Sequence, residues 1–204
     1  MTDPAVSAMS WPREPEPDAG AVAQELRRAG VPVETGTRRR AEYSSDAGNY
    51  RVVAGAIAFP RHVDEVQLAV AACHRTGTPL VVRGAGTSIA GNAIGSGLVL
   101  DLSRHLNRVR SIDPDAATAV VEPGAVLDTI SAAARPYGLT FGPDPSTHSR
   151  ATIGGSIGNN ACGAHAMSAG RTGDQVVELD VVGMSGDRFT AAAGSAGPFT
   201  GPLR

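Results

Sequence analysis

The stretch that most restricts the fold is residues 81–109, "VVRGAGTSIAGNAIGSGLVLDLSRHLNRV". An apolar run enters a loop holding Gly84, Gly86, Gly91, Gly95 and Gly97, and a second apolar run leaves it. Hairpin connections take about two to five residues, and this one is far longer. Glycine lets the main chain approach something flat or anionic, because it has no Cβ and tolerates φ of either sign. Successive N–H groups of Gly84, Ala85, Gly86, Thr87 and Ser88 can form a nest around phosphate. The hydroxyls of Thr87 and Ser88 and the charge of Arg83 stand nearby. Taken alone, the loop is equally well read as a permissive surface connection.

Neither standard nucleotide loop fits. The dinucleotide fingerprint needs a third glycine three residues after the second and must open a helix; that position is Ile89, and "AGNAIGSG" would break a helix. A Walker loop needs Gly-Lys-Ser/Thr, which is absent. A second segment, Phe141 to Asp174, carries Gly154, Gly155, Gly158, Gly163, Gly170 and Gly173, with the side-chain amides of Asn159 and Asn160. Loops this long inside a domain are usually functional. Both are near neutral, so a ligand would be held mainly by main-chain donors.

Other residues carry less. Cys162 and His165 have the spacing of half a metal site, without a second pair, so an ordinary loop position is expected. Cys73 reads as core, Arg38 to Arg40 as a solvated charge run, and Asp144 before Pro145 as a turn residue. Tyr43 and Tyr50 read equally well as ligand-flanking or as surface packing. No Ser-His-Asp set follows from spacing.

Along the chain, residues 1–17 hold Pro4, Pro12, Pro15 and Pro17 and read as a mobile leader. A helix is expected over 18–29, with Asp18 as N-cap, Val22 and Leu26 on one face, and Gly30 as stop. "RRRAEYSSDAGNYR" reads as a polar loop. Then come a strand over 51–59, a helix over 62–77 with Val63, Val66, Val70 and Cys73 on one face, and strands at 79–83 and 97–102. "DPDA" between two short runs predicts a hairpin. A helix follows over 125–138, with Val126, Ile130 and Ala133 on one face. A strand at 176–184 and the turn "SGD" end the regular part. Strands alternating with helices, plus a hairpin, indicate mixed α/β or α+β.

Composition excludes partners. A net charge of −2 gives no electrostatic footprint for nucleic acid. Two cysteines are too few for a disulfide scaffold and fit a reducing cytoplasm. No apolar run approaches the length that spans a bilayer, and no signal peptide is expected at the N-terminus.

The two loops also carry a resemblance. "VVRGAGTSIAGNAIGSGLVLDLSRHLNRV", "VEPGAVLDTISAAARPYGLTFGPDPSTHSRATIGGSIGNNACG" and "GRTGDQVVELDVV" resemble the FAD-binding domain of the vanillyl-alcohol oxidase and p-cresol methylhydroxylase (PCMH) fold, in the branch of FAD-linked 2-hydroxyacid dehydrogenases. That branch includes glycolate oxidase flavin subunits, D-lactate dehydrogenases and D-2-hydroxyglutarate dehydrogenases, and the likeness runs from Tyr43 to Asp187. It implies an α+β fold of two α+β subdomains with FAD extended between them. By resemblance, Arg83, Gly84, Ala85, Gly86, Thr87, Ser88 and Gly91 wrap the pyrophosphate. Asp144, Thr152, Gly154, Gly155, Ser156, Asn159 and Asn160 line the ribityl and flavin side, and Val176 meets the adenine through its backbone. Covalent members carry a flavin-linking His where this chain has Thr87, so FAD is expected to be non-covalent. Ala169 departs from the Tyr or Trp usual before the glycine at Gly170.

The resemblance also implies what is absent. Family members continue past "SGD" into a flavin-contacting loop and a substrate cap, whereas this chain runs into "AGSAGPFTGPLR". The expected organisation is a leader at 1–17, an N-terminal helix and loop at 18–48, and an FAD-binding domain at 49–204, incomplete at the C-terminus. The expected activity of the full enzyme is oxidation of a small 2-hydroxyacid by hydride transfer to FAD in the cytoplasm, with a separate chain as one source of the cap. The other expectation is a non-catalytic remnant that binds FAD weakly or not at all. The catalytic base and any metal are not assigned to residues of this chain.

Overall fold

The structure is a computed structural model that describes residues 19–192. The leader 1–17, the Asp18 cap and the tail beyond Ala192 lie outside the described residues. The first unit is a four-stranded sheet in the order β1 (Val33–Glu34), β2 (Ala56–Ala58), β4 (Leu98–Asp101), β3 (Leu80–Arg83). β1 is antiparallel to β2, while β2, β4 and β3 run parallel. β2 and β4 are buried along their whole length, as interior strands covered on both faces must be.

One face is covered by α1 (Ala19–Arg28) and α3 (Val63–Thr76). Val22, Ala23 and Leu26 of α1 join Ala69, Ala72 and Cys73 of α3 in one cluster over Leu98 and Leu100. Full burial of a residue such as Leu26 is worth about 2–3 kcal/mol. Gly77 ends α3 at φ 67, its N–H meeting the Cys73 and His74 carbonyls. The opposite face packs Ala54, Ile57, Phe59 and Val99 with Tyr43 and Val81.

The second unit gathers the hairpin β5 (Val109–Asp113) and β6 (Thr118–Val121), α4 (Leu127–Ala134) and α5 (Ile153–Gly158). Its separate cluster is Ala125, Leu127, Ile130, Ala151 and Ile153, flanked by Val109, Val121 and Phe141. Two apolar clusters, each under its own helices and strands, make the α+β fold of two subdomains. After α6 (Ala166–Ala169) a last hairpin, β7 (Glu178–Val182) and β8 (Arg188–Ala192), lies against α3. Gln67 Nε2 donates to the Gly186 carbonyl at 2.9 Å.

Several expectations change. The polar stretch after Gly36 contains a helix, α2 (Thr37–Glu42), held by ion pairs from Arg38 and Arg39 to Glu42. Nor is the arginine run wholly solvated: Arg39 also pairs with Glu34 at 3.2 Å and lies 5.7 Å from the Phe59 ring centre, and Arg40 Nε donates to the Ala54 carbonyl at 2.6 Å. The strand expected over 51–59 shrinks to β2, because the Gly55 N–H turns to the carbonyls of Ser96 and Gly97. α4 buries Leu127, Ile130 and Ala134 in place of Val126 and Ala133, a rotation set by Val126 bridging to Thr152. In α3, Ala69 and Ala72 are buried while Val63 and Val66 are partly exposed. Regular structure continues beyond "SGD" as β8.

Candidate functional site

The first glycine loop follows β3 and is held from below. Arg83 Nη1 donates to the Ser45 carbonyl at 2.9 Å and to the Ala93 carbonyl at 3.0 Å. Its guanidinium stacks over Tyr43, 5.0 Å from the ring centre. Gly86 holds φ +70, and a Cβ there would overlap the Arg83 guanidinium. Arg83 is therefore spent as a brace under the loop. Tyr43 in turn donates to Asp101 Oδ2 at 2.5 Å and packs edge-on against Phe59, with ring centres 5.9 Å apart. Burial first, then the hydrogen bond and charge of Asp101, hold the Tyr43 hydroxyl above its usual range. Packing accounts for Tyr43; Tyr50 is exposed, its ring beside Gly91.

The loop's carbonyls and amides face different partners. The Ala47 N–H donates to the carbonyls of Gly86 and Ser88 at 3.1 and 3.0 Å. Among the described residues, no hydrogen bond takes the main-chain N–H of Gly84, Ala85, Gly86, Thr87, Ser88 or Ile89. Four of these six residues, Gly84, Gly86, Thr87 and Ser88, are half-buried, and a run of such donors leaves room for an acceptor from outside the chain.

In the second segment the amides of the α5 turn, from Ile153 to Ala161, are satisfied internally. Thr152, buried, caps α5 by accepting from the Gly155 N–H at 3.4 Å. The N–H groups of Ile153, Gly154 and Ser156 donate to the carbonyls of Ala125, Pro123 and Thr152. Asn160 Oδ1 accepts from the Gly173 N–H at 2.9 Å. Gly154 packs so closely on Pro123 that a Cβ would lie 2.8 Å from its side chain, and a Cβ on Gly163 would fall inside the Asp144 carbonyl. A Cβ on Gly155 would press on Thr152 Oγ1 at 3.2 Å, whereas Gly158 is open, a Cβ there meeting nothing within 4 Å.

The two segments touch. A Cβ on Gly84 would overlap Thr152 Oγ1, and Asn92 Nδ2 donates to Asn159 Oδ1 at 3.0 Å. Beside their junction opens a cleft of about 440 Å³, with Ala85 of the first loop and Thr152 of the second on its wall. Asp144 is set apart, at φ 48 with Oδ2 3.3 Å from His165 Nδ1. Val176 lies just before the β7–β8 hairpin and does not line the cleft.

Sequence reasoning missed Ser103, Asn107, Gly124 and Arg150, which also line this cleft. The available signals were Gly124 behind Pro123 and Arg150 two residues ahead of Thr152. Among the described residues no cluster of three or more His, Cys, Asp or Glu could hold a metal ion, and no helix is long and apolar enough to cross a membrane. Cys162 is exposed and Cys73 buried. Burial, then the charge of Glu25, pushes the Cys73 thiol up to about 11.

Two subdomains whose glycine segments meet at a cleft define the PCMH-type flavoprotein architecture, and comparison with known proteins agrees. The xylooligosaccharide oxidase from Myceliophthora thermophila C1 superposes with a TM-score of 0.73 at 27% identity, over 84% of this chain and 37% of that one. Alkyldihydroxyacetonephosphate synthase, at 19% identity and a TM-score of 0.75, shares the fold. The D-2-hydroxyglutarate dehydrogenase of Escherichia coli (strain K12) is 35% identical over 169 residues, 80% of this chain and 17% of that protein. The glycolate oxidase subunit GlcD of Bacillus subtilis (strain 168) is 37% identical over 151 residues, 72% of this chain and 32% of that protein. The chain thus spans a third or less of the length of these curated relatives. A family model described as the FAD binding domain matches residues 54–192. The chain belongs to that family, and FAD is its cofactor.

Proposed function

We propose that residues 49–204 form the cofactor-binding unit of a flavin-dependent 2-hydroxyacid oxidoreductase and hold FAD without a covalent bond, with residues 18–48 adding a helix and an edge strand to its first core. The observation that carries this reading is the row of N–H groups from Gly84 to Ile89 that have no acceptor among the described residues. A diphosphate is the acceptor such a row suits, and the exposed, side-chain-free main chain at Gly155 and Gly158 allows a flat group to come near. In this reading Gly84, Ala85, Gly86, Thr87, Ser88 and Gly91 hold the pyrophosphate, with Arg83 as the brace beneath them. Thr152, Gly154, Gly155, Ser156, Asn159, Asn160 and Asp144 shape the ribityl and flavin side, and Val176 contributes to the adenine end.

FAD, when bound, supplies the hydride acceptor for the carbon bearing the substrate hydroxyl. The residues of this chain bind and orient it. The relatives named D-2-hydroxyglutarate dehydrogenase and glycolate oxidase subunit support a small 2-hydroxyacid as the substrate class of the whole protein, with the substrate cap supplied by other residues or a separate chain. Two exposed or buried thiols rather than a disulfide support a cytoplasmic site. Two packed apolar clusters favour this reading over a non-binding remnant.

The test is the visible spectrum of the purified chain, with FAD titration. Yellow absorbance that denaturation releases into solution is expected. Gly155→Val should remove binding, since a branched side chain would press on Thr152 Oγ1 and stand between the ligand and the main chain. A protein that stays colourless and whose Tm FAD does not move would overturn the proposal.

A further inference from the structure

The brace made by Arg83 leaves a charge question. A dinucleotide diphosphate carries two negative charges, and amide donors alone leave them without a counter-charge. Arg83 cannot turn upward: its Nη1 is spent on two carbonyls, and the loop at Gly86 lies directly on its guanidinium. The cleft beside the loop holds a different cation. Arg150 lines it with Ala85 and Thr152, and it is the only charged side chain on that wall. Among the described residues Arg150 has no ion pair and no side-chain hydrogen bond.

The backbone carrying Arg150 is pinned. Its N–H donates to the Thr147 carbonyl at 2.8 Å, and the next residue, Ala151, accepts from the Leu127 N–H at 3.1 Å. The carbonyl of His148 accepts from the Asp128 N–H at 3.2 Å, while the two side chains meet at 2.6 Å. A guanidinium without a protein partner is thus anchored on a fixed segment, on the wall it shares with the free-amide loop.

Resting on the FAD reading, we infer that Arg150 is the counter-charge to the cofactor's diphosphate, a binding residue that sets the affinity for the dinucleotide part of FAD. Planar guanidinium donors pair with phosphate oxygens in a fork, and the neutral groups Ser103, Asn107 and Thr129 leave that charge uncontested.

The test measures dissociation constants of the flavin-stripped full chain for three probes: FAD, ADP (diphosphate without flavin) and riboflavin (flavin without phosphate). Flavin fluorescence and calorimetry give the readouts, at low and moderate salt, for wild type, Arg150→Gln and Arg150→Lys. Arg150→Gln should weaken FAD and ADP about tenfold, flatten their salt dependence and leave riboflavin unchanged. Arg150→Lys should keep the salt dependence but recover only part of the affinity, since lysine restores the charge without the fork. Because Arg150 is exposed and unpartnered, its variants should melt at the wild-type temperature. FAD and ADP affinities within twofold of wild type in Arg150→Gln, or an equal loss for riboflavin, would overturn the inference while leaving the FAD reading intact. A wild-type chain that binds neither FAD nor ADP would overturn both.

Discussion

The two glycine-dense segments look alike in composition and use their glycines for different reasons. In the first, Gly84 to Gly91, the main chain is turned so that carbonyls meet Ala47 while a row of amides has no protein acceptor. In the second, from Ile153 to Ala161, the amides are consumed by a capped short helix and by the carbonyls of Pro123 and Ala125. There the glycines serve closeness: Gly154 on Pro123, Gly155 on Thr152 and Gly163 on Asp144, with one open face at Gly158. One segment supplies donors, and the other supplies a surface of near approach. Glycine count does not separate these uses; the pairing of the amides does.

The largest expected effect tests the packing half of this contrast. Gly163→Ala forces a Cβ into the backbone of Asp144 and should cost about 3 kcal/mol by denaturant unfolding. Gly158→Ala, at a helical position where a Cβ meets nothing within 4 Å, should raise stability by about 0.5 kcal/mol. If both substitutions destabilise equally, the second segment has no open face.

Next comes the junction. Gly84→Ala overlaps Thr152 Oγ1, and Thr152→Ala removes both that obstacle and the α5 cap. The single changes should cost about 2 and about 1 kcal/mol. The double mutant should recover about 1 kcal/mol against their sum. Strict additivity would mean the segments do not meet.

The brace under the first loop carries a pH signature. Tyr43 is held above its ordinary value by burial and by Asp101. A raised folded value gives stability that is complete below the unfolded phenol value of about 10 and is lost as pH climbs toward the folded value. Tyr43→Phe should cost about 1 kcal/mol at neutral pH and should lack the wild-type decline above about pH 10. Parallel alkaline melting curves for the two proteins would detach Tyr43 from the brace. The smallest effect is expected at Asn92 and Asn159, an exposed pair 3.0 Å apart, where alanine at both should reveal a coupling of about 0.5 kcal/mol.

Much of the fold was legible in the chain. Gly77 and the spacing of Val66, Val70 and Cys73 marked α3, and "DPDA" marked the β5–β6 hairpin, because local turn chemistry and periodicity act within a few residues. α2 was not legible: its polar sequence forms a helix through ion pairs to Glu42 and the reach of Arg39 and Arg40 to Phe59 and Ala54. The rotation of α4 was hidden too, since a bridge to Thr152, distant in sequence, decides which face turns inward.

At the site, the sequence by itself determined that two side-chain-poor segments exist and that their main chains can approach a ligand, since the missing Cβ is a property of the residue alone. Only the tertiary structure decided which segment keeps its amides free, that Arg83 lies beneath the loop, and that Arg150 stands on the shared wall. Those outcomes depend on which groups meet across long chain separations, and hydrogen bonds are allotted only when the partners are brought together.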